Sequence, residues 1–137
     1  ISSLLSEMTK GCLAIVESLL SISMALGEKN RLRAFLALMD TEDLCVCDVG
    51  DFLGLAPATV SRHMSILQQA GLIESEKRGR WVFYRLGAAV DPRLLEWIRH
   101  SVRNAGFPAQ DMAKIQEIVR LHREHNLCEV KRRRTTE

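Results

Sequence analysis

Two cysteines one residue apart, Cys45 and Cys47, stand in the string DLCVCDVGDFLG at residues 43–54. Thiolates are ligands for soft ions. Two residues along a regular helix lie about 200° apart and roughly 3 Å in rise, so both sulfurs meet one ion only where the helix start is distorted. The pair opens a short helix, which fits that demand. A helix N-terminus also favours the thiolate. The flanking Glu42, Asp43 and Asp48 act in the opposite direction, so the sign of the net shift stays open. A single C-x-C is a weak pattern for a four-ligand structural zinc site and suits a soft ion held by two or three thiolates. The plain alternative is two small side chains packed in the interior, where cysteine is at home.

A second set of residues has the chemistry of nucleic-acid reading. The helix in PATVSRHMSILQQAG, residues 57–71, projected at about 100° per residue, puts Val60, Met64, Leu67 and Ala70 on one side with His63 at the margin. Ala58, Ser61, Arg62, Ser65 and Gln69 fall on the other. Small, hydrogen-bonding and basic side chains suit a major groove, where Arg pairs with guanine and Gln with adenine. The helix N-terminus, with Thr59, can meet a phosphate. An ordinary amphipathic surface helix carries the same residue types. The cluster Lys77, Arg78 and Arg80 at the following turn strengthens the reading, since a basic hairpin tip there can lie along a DNA backbone or enter the minor groove. His63 is open between a phosphate contact and local packing.

The elements that must position these groups follow from periodicity and punctuation. An apolar helix is expected over Met8–Leu26, with Leu13, Val16, Leu20 and Met24 in one stripe and Ile15, Leu19 and Ile22 beside it. Such a helix buries two sides, one on its own domain and one on a second subunit. Asn30–Met39 is a second helix, with Leu32, Phe35, Leu36 and Met39 inward and Arg31 and Arg33 outward. Cys45–Leu53 is a third. Pro57 opens the fourth, which stops near Gly71. Leu72–Glu76 and Trp81–Leu86 form a hairpin around Lys77-Arg78-Gly79-Arg80. Asp91-Pro92 opens a fifth helix running to about Asn104. Gln110–His125 is a sixth, and Lys131–Glu137 is a solvated basic tail. The order is that of a winged helix-turn-helix: mostly α with a β-hairpin wing, dimeric through its N- and C-terminal helices, one domain over residues 1–130 with residues 131–137 as a tail.

Composition bounds the function. The chain has 137 residues, 47% of them hydrophobic, enough for one core. Its formal charge of +2 is too small to point to nucleic acid alone, but it divides as −4 over residues 1–56, +2 over 57–91 and +4 over 92–137. Binding depends on such a local basic face. Cysteines at 12, 45, 47 and 128 do not form a disulfide framework. Cys12–Leu26 reads as too short and too interrupted for a membrane span, and no signal peptide is visible, so the expectation is a cytoplasmic protein without a membrane partner. No nucleophile and base pairing or phosphate loop stands out, so an enzyme is not expected.

LCVCDV followed by LGLAPATVSRHMSILQQAGLIESEKRGRWVFYRL resembles the ArsR/SmtB family of bacterial winged-helix metalloregulators. The match covers about residues 22–86, and the flanking helices more loosely. The resemblance implies a homodimeric repressor on operator DNA, released when As(III), Sb(III) or a related ion such as Cd(II), Pb(II) or Zn(II) binds Cys45 and Cys47. It implies that Ser61, Arg62 and His63 lie in the recognition helix and Lys77, Arg78 and Arg80 in the wing. One departure matters. Arsenic sensors of this type carry a third cysteine where this chain has Gly50, so a third thiolate must come from Cys12, Cys128 or nowhere. His100 and the His122-x-x-His125 run match the family's histidine and carboxylate zinc site poorly and read as solvated helix surface. A repressor of the same fold without a metal input, its cysteines merely packed, and a protein-interaction module are the alternatives.

Overall fold

The computed structural model describes residues 2–105 and 109–125. Among them the helices are α1 Ser2–Leu26, α2 Lys29–Met39, α3 Val46–Leu53, α4 Pro57–Gln69, α5 Pro92–Asn104 and α6 Ala109–His125, and the strands are β1 Leu44–Cys45, β2 Ile73–Arg78 and β3 Trp81–Leu86. Local chemistry sets the boundaries. The Glu28 carboxylate caps α2 by accepting the Arg31 N–H at 2.8 Å. Gly54, at φ 69° and ψ 35°, ends α3 in the left-handed conformation, which costs glycine little. Pro57 supplies the first turn of α4.

β2 and β3 pair from Ile73 with Leu86 to Arg78 with Trp81. The turn is therefore only Gly79-Arg80, with Gly79 at φ 63°, and not the four residues the sequence indicates. Lys77 and Arg78 belong to the ladder. A further strand was not legible. Leu44 pairs with Tyr84 and Cys45 with Phe83, so the wing is a three-stranded antiparallel sheet in the order β1-β3-β2. Two residues are too few to show a period.

The core is drawn from every layer: Phe35 and Leu38 of α2, Val49 and Phe52 of α3, Val60, Met64 and Leu67 of α4, Ile73 of β2, Ile98 of α5 and Ile115 of α6. Full burial of each such side chain contributes about 1.5–3 kcal/mol. Arg31 and Arg33, expected outward, turn against the protein instead. Arg31 donates to the Ala25 carbonyl at 2.8 Å and the Met24 carbonyl at 3.1 Å, joining α2 to the end of α1. Arg33 forms a two-pronged pair with Asp111 of α6 at 3.0 and 3.2 Å and lies 4.9 Å from the Phe52 ring centroid. Long guanidinium side chains find carbonyl and carboxylate partners that helical periodicity does not reveal.

α1 departs furthest from expectation. Among the described residues it packs on its own chain through its last turn, with Ala25 buried and Ile22 and Leu26 partly so. Leu13, Ile15, Val16, Leu19, Leu20 and Met24 are 50–72% exposed. Because the helix begins at Ser2, its Leu5–Leu26 segment of 22 residues is long and apolar enough to cross a membrane, which corrects the reading of this region as too short. The tail Lys131–Glu137 and Cys128 lie outside the described residues.

Candidate functional site

Cys45 ends β1 and caps α3, with φ −80° and ψ 166°. Its backbone N–H donates to the Asp48 carboxylate at 2.9 Å, and its side chain faces the Asp48 N–H, completing a capping box. The C-x-C pair therefore straddles a strand-to-helix boundary, with Cys45 in extended backbone and Cys47 inside the first helical turn. Such dihedrals are those of an ordinary N-cap, and the group of close ligand atoms found among the described residues includes Cys45 but not Cys47. Cys45 is buried and Cys47 half-buried. Cys12 is exposed on α1, and none of these three is in a disulfide.

α6 brings an unexpected partner. His122 is buried, with Nδ1 2.5 Å from Asp48 Oδ1 and Nε2 2.8 Å from Asp51 Oδ2. The solvated role expected for His122 is thus overturned. The Cys45 sulfur, an Asp48 oxygen and a His122 nitrogen lie within 4.8 Å of one another, all three residues buried. Burial, and next the charge of Cys45, push the Asp48 carboxyl up to about 6. A signal for His122 existed: Ile115, Ile118, Val119 and His122 share the helical spacing of one inward face. Its partners 71 and 74 residues away had none.

Gly50 lies close to the turn that follows α3. A Cβ there would stand 3.3 Å from the Leu55 carbonyl oxygen and 3.7 Å from Val60 Cγ2, against the turn joining α3 to α4.

On α4, Ala58, Thr59, Ser61, Arg62, Ser65 and Gln69 are exposed and Val60, Met64 and Leu67 buried, the two faces expected. The Tyr84 hydroxyl of β3 hydrogen-bonds Ser61, linking this helix to the sheet. His63 is largely covered, 3.3 Å from Arg31 and 3.9 Å from Glu28, which is the local-packing alternative. In the wing, Lys77 and Arg80 are exposed. Arg78 is held by Asp43 at 2.8 Å and Glu76 at 3.0 Å and stacks over Phe83 at 4.6 Å. Asp43 also lies 3.8 Å from Arg123 of α6. Asp43 before Cys45 and Asp48 after it thus reach the hairpin strand β2 and the last helix α6.

Residues 28–75 match the family of bacterial regulatory proteins designated arsR. The arsenical resistance operon repressor of Escherichia coli is 35% identical over 95 residues, 69% of this chain and 76% of that protein. The cadmium resistance regulatory protein CadC of Listeria innocua is 37% identical over 59 residues, 43% of this chain and half of that one. A homodimeric winged helix-turn-helix DNA-binding domain from Mycobacterium bovis superposes with a TM-score of 0.60 at 20% identity, over 68% of this chain and 85% of that domain.

Proposed function

The chain belongs to the arsR family of bacterial regulatory proteins, winged-helix transcription regulators and not enzymes, and from that premise we propose that it represses transcription as a cytoplasmic homodimer on operator DNA and is released by As(III), Sb(III) or a related thiophilic ion at Cys45 and Cys47. Cd(II), Pb(II) and Zn(II) are the other candidate inducers. The observation that carries this reading is the double role of Cys45, which caps the helix leading into α4 and pairs with Phe83 of the wing strand. An ion that draws Cys45 and Cys47 together displaces the cap. The movement reaches both DNA-contacting elements through covalent and hydrogen-bonded neighbours.

Arg62, Ser61 and Thr59 on α4 are the groups for bases and the nearest phosphates, and Lys77, Arg78 and Arg80 those for the backbone. His63 orients α4 by holding it to Arg31 and Glu28. A third thiolate for As(III) would come from Cys12 or Cys128, or the ion is held by Cys45 and Cys47 alone. A tenfold loss of operator affinity needs only about 1.4 kcal/mol of differential binding between the two states.

The test is operator binding by fluorescence anisotropy, on a duplex enriched from a random pool by the chain itself. Cys45→Ser with Cys47→Ser should bind the duplex like the unaltered chain and ignore arsenite. Release of the double variant by arsenite would refute the assignment. Sulfur counts from X-ray absorption of the arsenite-loaded chain, repeated on Cys12→Ser and Cys128→Ser, identify the third donor.

A further inference from the structure

We infer that Cys45, Asp48 and His122 form a second ligand set, for a borderline divalent cation such as Zn(II), Cd(II) or Co(II), which joins α3 to α6 within one protomer. The inference shares Cys45 with the arsenite reading and is otherwise independent of Cys47.

The donors are one thiolate, one carboxylate oxygen and one imidazole nitrogen, from three buried residues, with their ligand atoms within 4.8 Å of one another. Tetrahedral bonds of about 2.0–2.3 Å place ligand atoms about 3.3–3.8 Å apart. The 2.5 Å contact between His122 Nδ1 and Asp48 Oδ1 therefore opens by about 1 Å and the sulfur closes by a similar distance.

The imidazole is already turned for the task. Its Nε2 is 2.8 Å from the Asp51 carboxylate, which can only accept, so this nitrogen carries the proton and donates. Nδ1 faces the Asp48 carboxylate with one proton shared between them, and loss of that proton on loading leaves the Nδ1 lone pair for the ion. A carboxylate behind a ligating histidine fixes the ring and raises its basicity. With three protein donors, the fourth position of the ion falls to water.

The donor set decides the class of ion. Imidazole and carboxylate with one thiolate suit Zn(II)-like ions, whereas As(III) gains from thiolates alone. Loading replaces protons by the cation. The Cys45 thiol and any proton shared between Asp48 and His122 leave to solvent, so binding tightens as pH rises. No electron transfer is involved.

The probe is Co(II), titrated into the metal-free 137-residue chain. One ion per protomer should bind, with tetrahedral visible bands and a thiolate-to-cobalt charge-transfer band. His122→Gln should weaken binding at least about tenfold, and Cys47→Ser should leave affinity and spectrum unchanged. Conversely, His122→Gln should keep release by arsenite and Cys47→Ser should lose it, so the two sites fail separately. Should His122→Gln not fold, the unaltered chain decides. Its Co(II) complex in water should give a hyperfine-shifted, exchangeable imidazole N–H proton, from Nε2. Equal Co(II) affinity and spectrum in folded His122→Gln, no charge-transfer band, or no shifted imidazole proton would overturn the inference.

Discussion

Asp48 contributes a pH-dependent share of stability at the level of single residues. Its carboxyl is raised from 3.8 to about 6, burial being the largest cause. Between those values the folded chain keeps a proton that the unfolded chain has lost. The stability owed to Asp48 is complete below the lower value and declines as pH rises through the upper one. Asp48→Asn removes this titration. Urea midpoints of the unaltered chain should therefore fall relative to those of Asp48→Asn as pH rises across that window, and parallel profiles would show that Asp48 does not titrate there. Packing supplies a second prediction at this scale. Leu67 is fully buried on the inner face of α4, and Leu67→Ala should cost about 2–5 kcal/mol in denaturant unfolding, loosening α4 from the core.

Between elements, Asp43 is the shared anchor. It faces Arg78 of β2 and Arg123 of α6, one residue before β1 begins. Both pairs are partly exposed, and such pairs contribute about 0–1 kcal/mol. Asp43→Asn should thus leave the urea midpoint nearly unchanged. It should tighten DNA binding, because it unmasks the Arg78 charge in the wing. Lys77→Gln should act the other way, weakening binding on all sequences and lowering the slope of log affinity against log salt by about one. Anisotropy titrations at several salt concentrations read both. Equal slopes for the unaltered chain and Lys77→Gln would remove Lys77 from the interface.

For the whole molecule, the exposed apolar face of α1 asks for a covering surface. A row including Leu13, Val16 and Leu20, each at least half exposed, is a large apolar patch by the standard of soluble monomers, and the proposed homodimer would cover it with a second copy. Leu13→Asp with Leu20→Asp should shift the sedimenting species from dimer to monomer and weaken operator binding, since one reading head then lacks its mate. A double variant that still sediments as a dimer would place the interface elsewhere.

Much of this was written in local pattern. Helical period, Pro57, Gly54 and the basic run at Lys77–Arg80 mark the helices, the turn and the wing, because caps, φ limits and amphipathic spacing act over a few residues. The same locality made the C-x-C pair at a helix start readable. What only the folded chain decided are pairings across long sequence separations: β1 on β3, Arg33 with Asp111 and, above all, His122 with Asp48. His122 looked like surface because Asp48 and Asp51, which hold it, lie 74 and 71 residues away. α6 must first dock on α3 before burial makes the histidine, the carboxylates and Cys45 a single site. The side of Gly50 that faces Leu55 and Val60 is likewise a property of how α3 meets α4, and no residue spacing encodes it.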